Sequence, residues 1–218
     1  MKRVFICSGG PLEEVVEVKQ LPFSLEETIF IGADRGAIHL INQGIIPHEI
    51  IGDFDSLIDG ELDFLQNKIP HVTILPAEKD ETDTHLALRE AMKYEPDEVI
   101  LTGISGGRLD HYEAALHDVC GFQTVHPNVR FFIQNKQNEL QFLLPGKYSL
   151  NKEETYQYIS FFAFGRDIEN ISLEGFQYNV AHETIKIGNG RFTSNQQVGR
   201  TSHISFEAGI CLMIRSSD

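Results

Sequence analysis

The chain has 218 residues, which is enough for one large domain or for two smaller domains that each bury a core. Its formal net charge of −14 lies entirely in the first part: residues 1–125 hold 9 Lys and Arg against 23 Asp and Glu, whereas residues 126–218 hold 9 of each. No basic stripe offsets this charge, so we do not expect a nucleic-acid partner. The uneven charge favours two domains of different character.

The cysteines and the apolar runs indicate a cytoplasmic protein. Three cysteines lie far apart, which argues against a disulfide framework and against a zinc site. Cys7 and Cys211 stand inside apolar runs and are expected to be small core residues. No run approaches the length of a membrane span, and the first apolar run ends at Ser8, too early for a signal peptide.

Strands alternate with helices as far as residue 125. The predicted strands are 4–7, 28–33, 50–51, 72–75 and 98–102, and the predicted helices are 36–43, 61–68, 82–94 and 110–121. Thr82 is expected to cap the third helix. Asp110 and Glu113 have capping-box spacing at the start of the fourth helix, which we expect to end at Gly121. This alternation predicts a parallel sheet with right-handed crossovers.

The pattern changes after residue 125 to short runs of alternating polarity. These predicted strands are 130–134, 139–144, 155–164, 183–187, 202–206 and 210–215. Such runs, separated by Gly, Asn and Asp, predict an antiparallel sheet structure. We therefore predict an α/β protein, with an N-terminal three-layer domain on a mostly parallel sheet at 1–125 and a C-terminal antiparallel β-sandwich domain at 126–218.

Three short acidic clusters follow strands of the first domain. They are Gly52-Asp53-Phe54-Asp55-Ser56, Lys79-Asp80-Glu81-Thr82-Asp83 and Gly106-Gly107-Arg108-Leu109-Asp110-His111. In an open α/β sheet, ligands bind in the crevice at the carboxyl ends of the strands. Carboxylates held together there repel one another unless a cation joins them, and oxygen ligands suit Mg²⁺, the usual partner of phosphate substrates. The clusters predict a metal–phosphate site.

Several of these residues also have purely structural interpretations. Asp53 and Asp55 could converge on one ion or could serve only the turn that they form. Asp83 could stabilise the following helix through its dipole alone. Asp110 could be only an N-cap, and His111 could be an ordinary packed or surface imidazole. It is the joint occurrence of the clusters after successive strands that favours a functional site.

Two cationic residues in the clusters suit a phosphate ligand. Lys79 supplies a point charge, and Arg108 offers a planar fork that can bind phosphate through two hydrogen bonds. The glycines before Arg108 allow a ligand to approach the backbone closely. No Walker-type phosphate loop and no protein-kinase motif set occurs in the sequence, so any phosphoryl chemistry uses another architecture.

Taken together, these motifs resemble the thiamine pyrophosphokinase family. The resemblance rests on the three clusters and on Gly32-Ala33-Asp34-Arg35-Gly36-Ala37, Pro47-His48-Glu49-Ile50-Ile51, Leu173-Glu174-Gly175-Phe176-Gln177-Tyr178 and Thr193-Ser194-Asn195. It covers nearly the whole chain. It implies a homodimer with active sites between subunits, and Mg²⁺-dependent transfer of a diphosphate group from ATP to the hydroxyl of thiamine, giving thiamine diphosphate and AMP.

The resemblance also implies roles for individual residues. The metal ligands would be Asp53, Asp55 and Asp83, and the catalytic residues would be Asp34, Asp55 and Asp83. The nucleotide and the transferred group would lie near Lys79, Thr82, Arg108, Asp110 and His111. Thiamine would contact Tyr178, Ser194 and Asn195. Either Asp34 or Asp55 could accept the proton of the thiamine hydroxyl, and the sequence does not choose between them.

Two departures from the family pattern leave alternatives open. Arg35 stands where the family often has a second glycine, which predicts a differently shaped loop after Asp34. The chain has no Trp, and Tyr178 occupies the point where some members place one against thiamine; a phenol ring stacks on a cation less strongly than an indole does. A non-catalytic binding module with this fold, and the same chemistry on another heterocyclic alcohol, are the competing hypotheses.

Overall fold

The computed structural model describes residues 1–54, 60–69, 71–74 and 81–218. They divide into two compact units, Met1–Lys136 and Gln137–Asp218. The first has a parallel sheet with helices and the second is built from antiparallel strands, so the predicted fold class is confirmed. Within the described ranges, no helix combines the length and apolar character needed to cross a bilayer.

In the part of the first unit that the structure describes, the sheet has six parallel strands. The strands are β1 (Arg3–Cys7), β2 (Thr28–Ala33), β3 (Glu49–Gly52), β4 (His71–Ile74), β5 (Glu98–Thr102) and β6 (Arg130–Gln134); the helices are α1 (Gly36–Asn42), α2 (Glu61–Lys68), α3 (Asp83–Met92) and α4 (Leu109–Val125). The strand order is β4-β3-β2-β1-β5-β6. The chain thus moves outward from β1 to β4 and returns on the other side of β1, which places the topological switch point beside β1.

Helices cover the sheet because its central strand is apolar on both faces. All four residues of Val4–Cys7 are fully buried. Phe5 and Cys7 belong to one apolar cluster with Leu40 of α1, whereas α3 contacts β1, β2, β3 and α4. Neighbouring residues of a strand point to opposite faces, so a continuous apolar run requires cover on both.

Three local predictions in this unit were wrong. Residues 130–134 were expected among antiparallel strands, but β6 runs parallel to β5, with Phe131 opposite Val99; alternating polarity reports exposure and not strand direction. Asp110 is not the N-cap of α4, because the helix begins at Leu109 and Arg108 occupies the cap position; the Asp110 carboxylate accepts from Arg108 and from the N–H of His111. The helix also continues past Gly121 to Val125. The cap on α3 is confirmed, since the side chain of Thr82 accepts from the backbone N–H of His85 at 3.1 Å.

The second unit contains seven strands. They are β7 (Asn138–Leu143), β8 (Gly146–Asn151), β9 (Tyr158–Ala163), β10 (Ile168–Glu174), β11 (Val180–Ile185), β12 (Thr201–Phe206) and β13 (Cys211–Ser216). They pair antiparallel in the orders β7-β13-β9 and β11-β10-β12-β8. Buried residues from both groups share one apolar cluster, among them Phe161, Ile171, Ile204 and Met213. This arrangement is the predicted sandwich.

Candidate functional site

The loops that follow β1 and β5 are joined through their backbones. The N–H of Ser8 donates to the carbonyl of Thr102 at 2.9 Å, and the N–H of Gly10 donates to the carbonyl of Gly103 at 2.7 Å. Gly103 has a φ of +71°, and a Cβ there would stand 2.3 Å from the Ser8 carbonyl oxygen. Only glycine allows these two loops to meet at the switch point of the sheet.

The loop after β2 packs against the same β1 loop and carries Asp34. A Cβ on Gly36 would stand 1.9 Å from the carbonyl oxygen of Cys7, and one on Gly9 would stand 3.5 Å from Oδ2 of Asp34. Asp34 has a φ of +49°, a left-handed conformation that aspartate tolerates better than most residues. Arg35 adopts ordinary right-handed dihedrals, so this position does not require the glycine that the family often has.

The end of β3, which leads directly into Asp53, packs against Asp34. The N–H of Asp34 donates to the carbonyl of Ile51 at 2.8 Å, and a Cβ on Gly52 would stand 3.1 Å from the Cα of Asp34. Phe54 is buried and has a φ of +59°, which is rare for an aromatic residue. Such strain persists where the surroundings enforce it, and here the ring is held in the apolar cluster beneath the loop.

The first turn of α3 contacts the β1 loop as well. Oγ1 of Thr84 lies 3.1 Å from Oγ of Ser8. Asp83, the neighbour of Thr84, is half-buried at the helix N-terminus, where the backbone N–H groups and the helix dipole favour anions. The segments that carry Asp34 and Asp83 therefore both contact the loop after β1, and the segment that carries Asp53 contacts Asp34.

A metal set made only of described residues is not found here. Among residues 1–54, 60–69, 71–74 and 81–218, no three His, Cys, Asp or Glu side chains form a group that could hold an ion. Asp55 and Lys79 lie outside the described residues. The chemistry of the donors still fits Mg²⁺, because Asp53 and Asp83 offer oxygen ligands and the glycines leave space around Asp34 that a side chain would fill.

The third cluster is exposed and internally paired. Arg108 donates to both carboxylate oxygens of Asp110, at 3.1 Å from Nε and 2.6 Å from Nη2. The hydrogen bond from Arg108 lowers the pKa of Asp110 to about 2. His111 is exposed beside them. Because exposed ion pairs contribute little, a phosphate group could replace Asp110 in the guanidinium fork at small cost.

Glu14 supports the glycine-rich loop through contacts that the sequence does not predict. Oε2 of Glu14 accepts from Nδ2 of Asn135 at 2.9 Å and from Oγ of Ser105 at 3.4 Å. Gly106 has a φ of +80°, and a Cβ there would stand 2.3 Å from Cγ of Glu14. Glu14 lies in a short 3-10 helix, Leu12–Glu14, and no local sequence signal connects it with Ser105 or Asn135.

In the second unit, the side chain of Asn195 forms hydrogen bonds with backbone groups of Tyr178 and Gln196. It is 3% exposed, its Oδ1 accepts from the N–H groups of Tyr178 and Gln196, and its Nδ2 donates to the carbonyl of Tyr178 at 2.9 Å. The ring of Tyr178 is 63% exposed. Ser194 is exposed, with a φ of +56°, and its N–H donates to Oγ of Ser160. Asn195 thus fixes the segment that presents Tyr178.

We expect Asn195→Ala to lower the free energy of unfolding by about 2–3 kcal/mol, because it leaves the polar backbone of Tyr178 without its partners. Asn195→Asp keeps an accepting oxygen but turns a buried carboxylate oxygen toward the Tyr178 carbonyl, so it should cost at least as much. Urea unfolding of both variants tests this ordering. Equal stability of Asn195→Ala and the unmodified chain would show that these bonds do not hold the segment.

Comparisons with known proteins agree with these motifs. A family model described as "Thiamin pyrophosphokinase, catalytic domain" matches residues 23–133, and one described as "Thiamin pyrophosphokinase, vitamin B1 binding domain" matches residues 147–211. The thiamine pyrophosphokinase of Bacillus subtilis (strain 168) is 36% identical over 218 residues, which is 100% of both chains.

Solved structures of thiamine pyrophosphokinases are similar to this chain over nearly its whole length. The crystal structure of thiamine pyrophosphokinase from Bacillus subtilis has a TM-score of 0.91 at 36% identity and covers 100% of both chains. The crystal structure of thiamin pyrophosphokinase from Geobacillus thermodenitrificans has a TM-score of 0.88 at 32% identity, covering 99% of this chain and 98% of that one.

Proposed function

Since this chain belongs to the thiamine pyrophosphokinase family, and is thus an enzyme that forms thiamine diphosphate, we propose that it does so by Mg²⁺-dependent transfer of the diphosphate group of ATP to the hydroxyl of thiamine. AMP is the second product. The observation that carries the proposal is a chain of contacts: the segments bearing Asp34 and Asp83 both touch the loop after β1, and the segment bearing Asp53 touches Asp34.

The transfer is one displacement at phosphorus. The hydroxyl oxygen of thiamine attacks the β-phosphorus of ATP, the bond to the oxygen that bridges the α- and β-phosphates breaks, and AMP leaves with the electron pair of that bond. The hydroxyl proton passes to a carboxylate, either that of Asp34 or that of Asp55. Reactions of this type depend on positioning and charge neutralisation more than on covalent help from the protein.

The residues of the first unit supply that positioning. Asp53, Asp55 and Asp83 would hold Mg²⁺, which offsets the negative charge of the phosphate oxygens when it is bound. Lys79, Thr82, Arg108, Asp110 and His111 are proposed to lie around the nucleotide. The hydroxyl of Thr82 already caps α3, so its contribution is to orient the N-terminal N–H groups of that helix.

The residues of the second unit are proposed to bind thiamine. The exposed ring of Tyr178 can stack on the cationic thiazolium, and the exposed Ser194 can donate a hydrogen bond. Asn195 contributes by holding the Tyr178 segment. We further propose that the enzyme is a cytoplasmic homodimer in which these residues serve the active site of the partner subunit. Light scattering tests the dimer. Recovery of activity on mixing differently inactivated subunits tests the shared site.

The identity of the released nucleotide tests the proposed reaction. Incubation with thiamine, Mg²⁺ and ATP labelled at both the β- and γ-phosphorus should place both labels in thiamine diphosphate and release one AMP for each. Release of ADP would exclude diphosphate transfer. Binding without turnover would support the non-catalytic hypothesis, and faster transfer to another heterocyclic alcohol would change the substrate.

We expect Glu14→Ala to raise the KM for ATP about 5-fold, which corresponds to about 1 kcal/mol, because the loop that carries Arg108 loses the support of Glu14. The KM for thiamine should not change. Glu13→Ala is the matched control, because Glu13 is exposed on the same 3-10 turn. Steady-state kinetics decide the matter, and equal KM values for ATP in the two variants would contradict the supporting role of Glu14.

A further inference from the structure

The first turn of α3 is bound to α4 by contacts that the proposed reaction does not explain. Asp118 of α4 directs both carboxylate oxygens at this turn: Oδ1 lies 2.8 Å from Nδ1 of His85, and Oδ2 accepts from Oγ1 of Thr82 at 3.4 Å. Oγ1 of Thr82 also accepts from the backbone N–H of His85. These three residues form what we call the α3–α4 clamp.

The clamp is partly shielded from water. The side chain of Asp118 is 20% exposed and that of His85 is 32% exposed. The His85 ring packs edge-on against Phe122, with 5.4 Å between ring centroids. A carboxylate that has lost much of its hydration needs hydrogen-bond donors, because an unpaired charge in such a place is costly. Thr82 and His85 supply those donors, so the first turn of α3 is held in one register against α4.

The same turn is held on a second side by the loop after β1. Thr84 contacts Ser8 there, at 3.1 Å between hydroxyl oxygens. Asp83 stands between Thr82 and Thr84 in sequence, so it lies between the residue tied to α4 and the residue tied to the β1 loop. The contact of Thr82 with Asp118 and the contact of Thr84 with Ser8 together restrain both rotation and sliding of the turn. The position of the Asp83 carboxylate therefore depends on both of them.

We propose that Asp118 is a positioning residue for the metal–phosphate site, acting through Thr82 and His85 to hold Asp83 in place. The inference rests on the proposed role of Asp83 as a ligand of Mg²⁺. It predicts a specific pattern: loss of Asp118 weakens the use of Mg²⁺ and leaves thiamine binding unchanged. A general loss of helix packing would not produce that separation.

Kinetics of two Asp118 variants test the proposal. Asp118→Ala is expected to raise the Mg²⁺ concentration for half-maximal activity about 10-fold, which corresponds to about 1.4 kcal/mol of lost Mg²⁺ affinity. Asp118→Asn keeps an accepting oxygen and should raise it about 3-fold. The KM for thiamine should stay constant in both. Val119→Ala is the control, because this buried neighbour on α4 can lose packing without altering the clamp.

Calorimetry supplies a readout that does not depend on turnover. Binding of an unreactive ATP analogue to Asp118→Ala should be weakened at limiting Mg²⁺ and should approach the wild-type affinity at saturating Mg²⁺. If Asp118→Ala fails to fold, Asp118→Asn decides the question by the same measurements. Asp118 variants that respond to Mg²⁺ as Val119→Ala does would overturn the inference. An unmodified enzyme that shows no Mg²⁺-dependent release of AMP would instead overturn the proposed function.

Discussion

Asp83→Asn is expected to lower kcat/KM for thiamine diphosphate formation by about 10²- to 10³-fold while the fold is kept. Asparagine has nearly the same shape as aspartate, but it removes the negative charge that a metal ligand supplies. Asp83 is half-buried in the first turn of α3, beside the Thr84–Ser8 contact. Steady-state kinetics at several Mg²⁺ concentrations, together with thermal unfolding, measure both parts of the prediction.

Asp63→Asn provides the matched control. Asp63 is also an acidic residue in the first turn of a helix, α2, and its side chain is exposed. Both substitutions remove a favourable interaction with a helix dipole, worth about 0.3–1 kcal/mol of stability. Only Asp83→Asn should lose activity. Near-normal activity in Asp83→Asn would mean that Asp83 serves the helix and not the reaction.

Gly36→Ala is expected to lower the free energy of unfolding by about 3 kcal/mol or more, because the new methyl group would overlap backbone atoms. Its Cβ would stand 1.9 Å from the carbonyl oxygen of Cys7 and 2.4 Å from the carbonyl carbon. Backbone at the end of a central strand cannot move aside as a flexible side chain can. The loop after β2, which carries Asp34, should be displaced with it, so activity should fall too.

Gly121→Ala is the opposite case in the same unit. Gly121 is an exposed interior residue of α4, and a Cβ there would meet nothing within 4 Å. Alanine at such a position stabilises a helix by about 0.5–1 kcal/mol relative to glycine. Chemical unfolding of both variants should therefore give changes of opposite sign. A neutral Gly36→Ala would mean that α1 can shift away from β1 at no cost.

The fold was predictable wherever one residue pattern governs a segment. The buried runs of β1, β2 and β5 and the cap of Thr82 on α3 follow from local rules, and the structure confirms them. Two strands, β8 and β10, were missed. β8 buries only Leu150, and β10 is irregular, with register shifts and an Asn170 φ of +56°. β10 lacks the regular alternation on which prediction of a strand depends, whereas β8 alternates but buries only one side chain fully.

The site was predictable only in part, for a physical reason. The segments that carry Asp34 and Asp53 follow neighbouring parallel strands, so their proximity follows from topology. Contacts between distant side chains do not follow from it. Asp118 reaches His85 across 33 positions of sequence, and Glu14 reaches Asn135 across 121. No local pattern encodes such pairs.

We propose that the carboxylates at the ends of the parallel strands hold the metal that neutralises the transferred group. A crystal structure with Mg²⁺, an unreactive ATP analogue and thiamine tests it most directly. We predict Mg²⁺ at about 2.0–2.1 Å from carboxylate oxygens of Asp53, Asp55 and Asp83, beside the loop after β1. A metal bound only by phosphate oxygens and water, with these carboxylates turned away, would contradict the account.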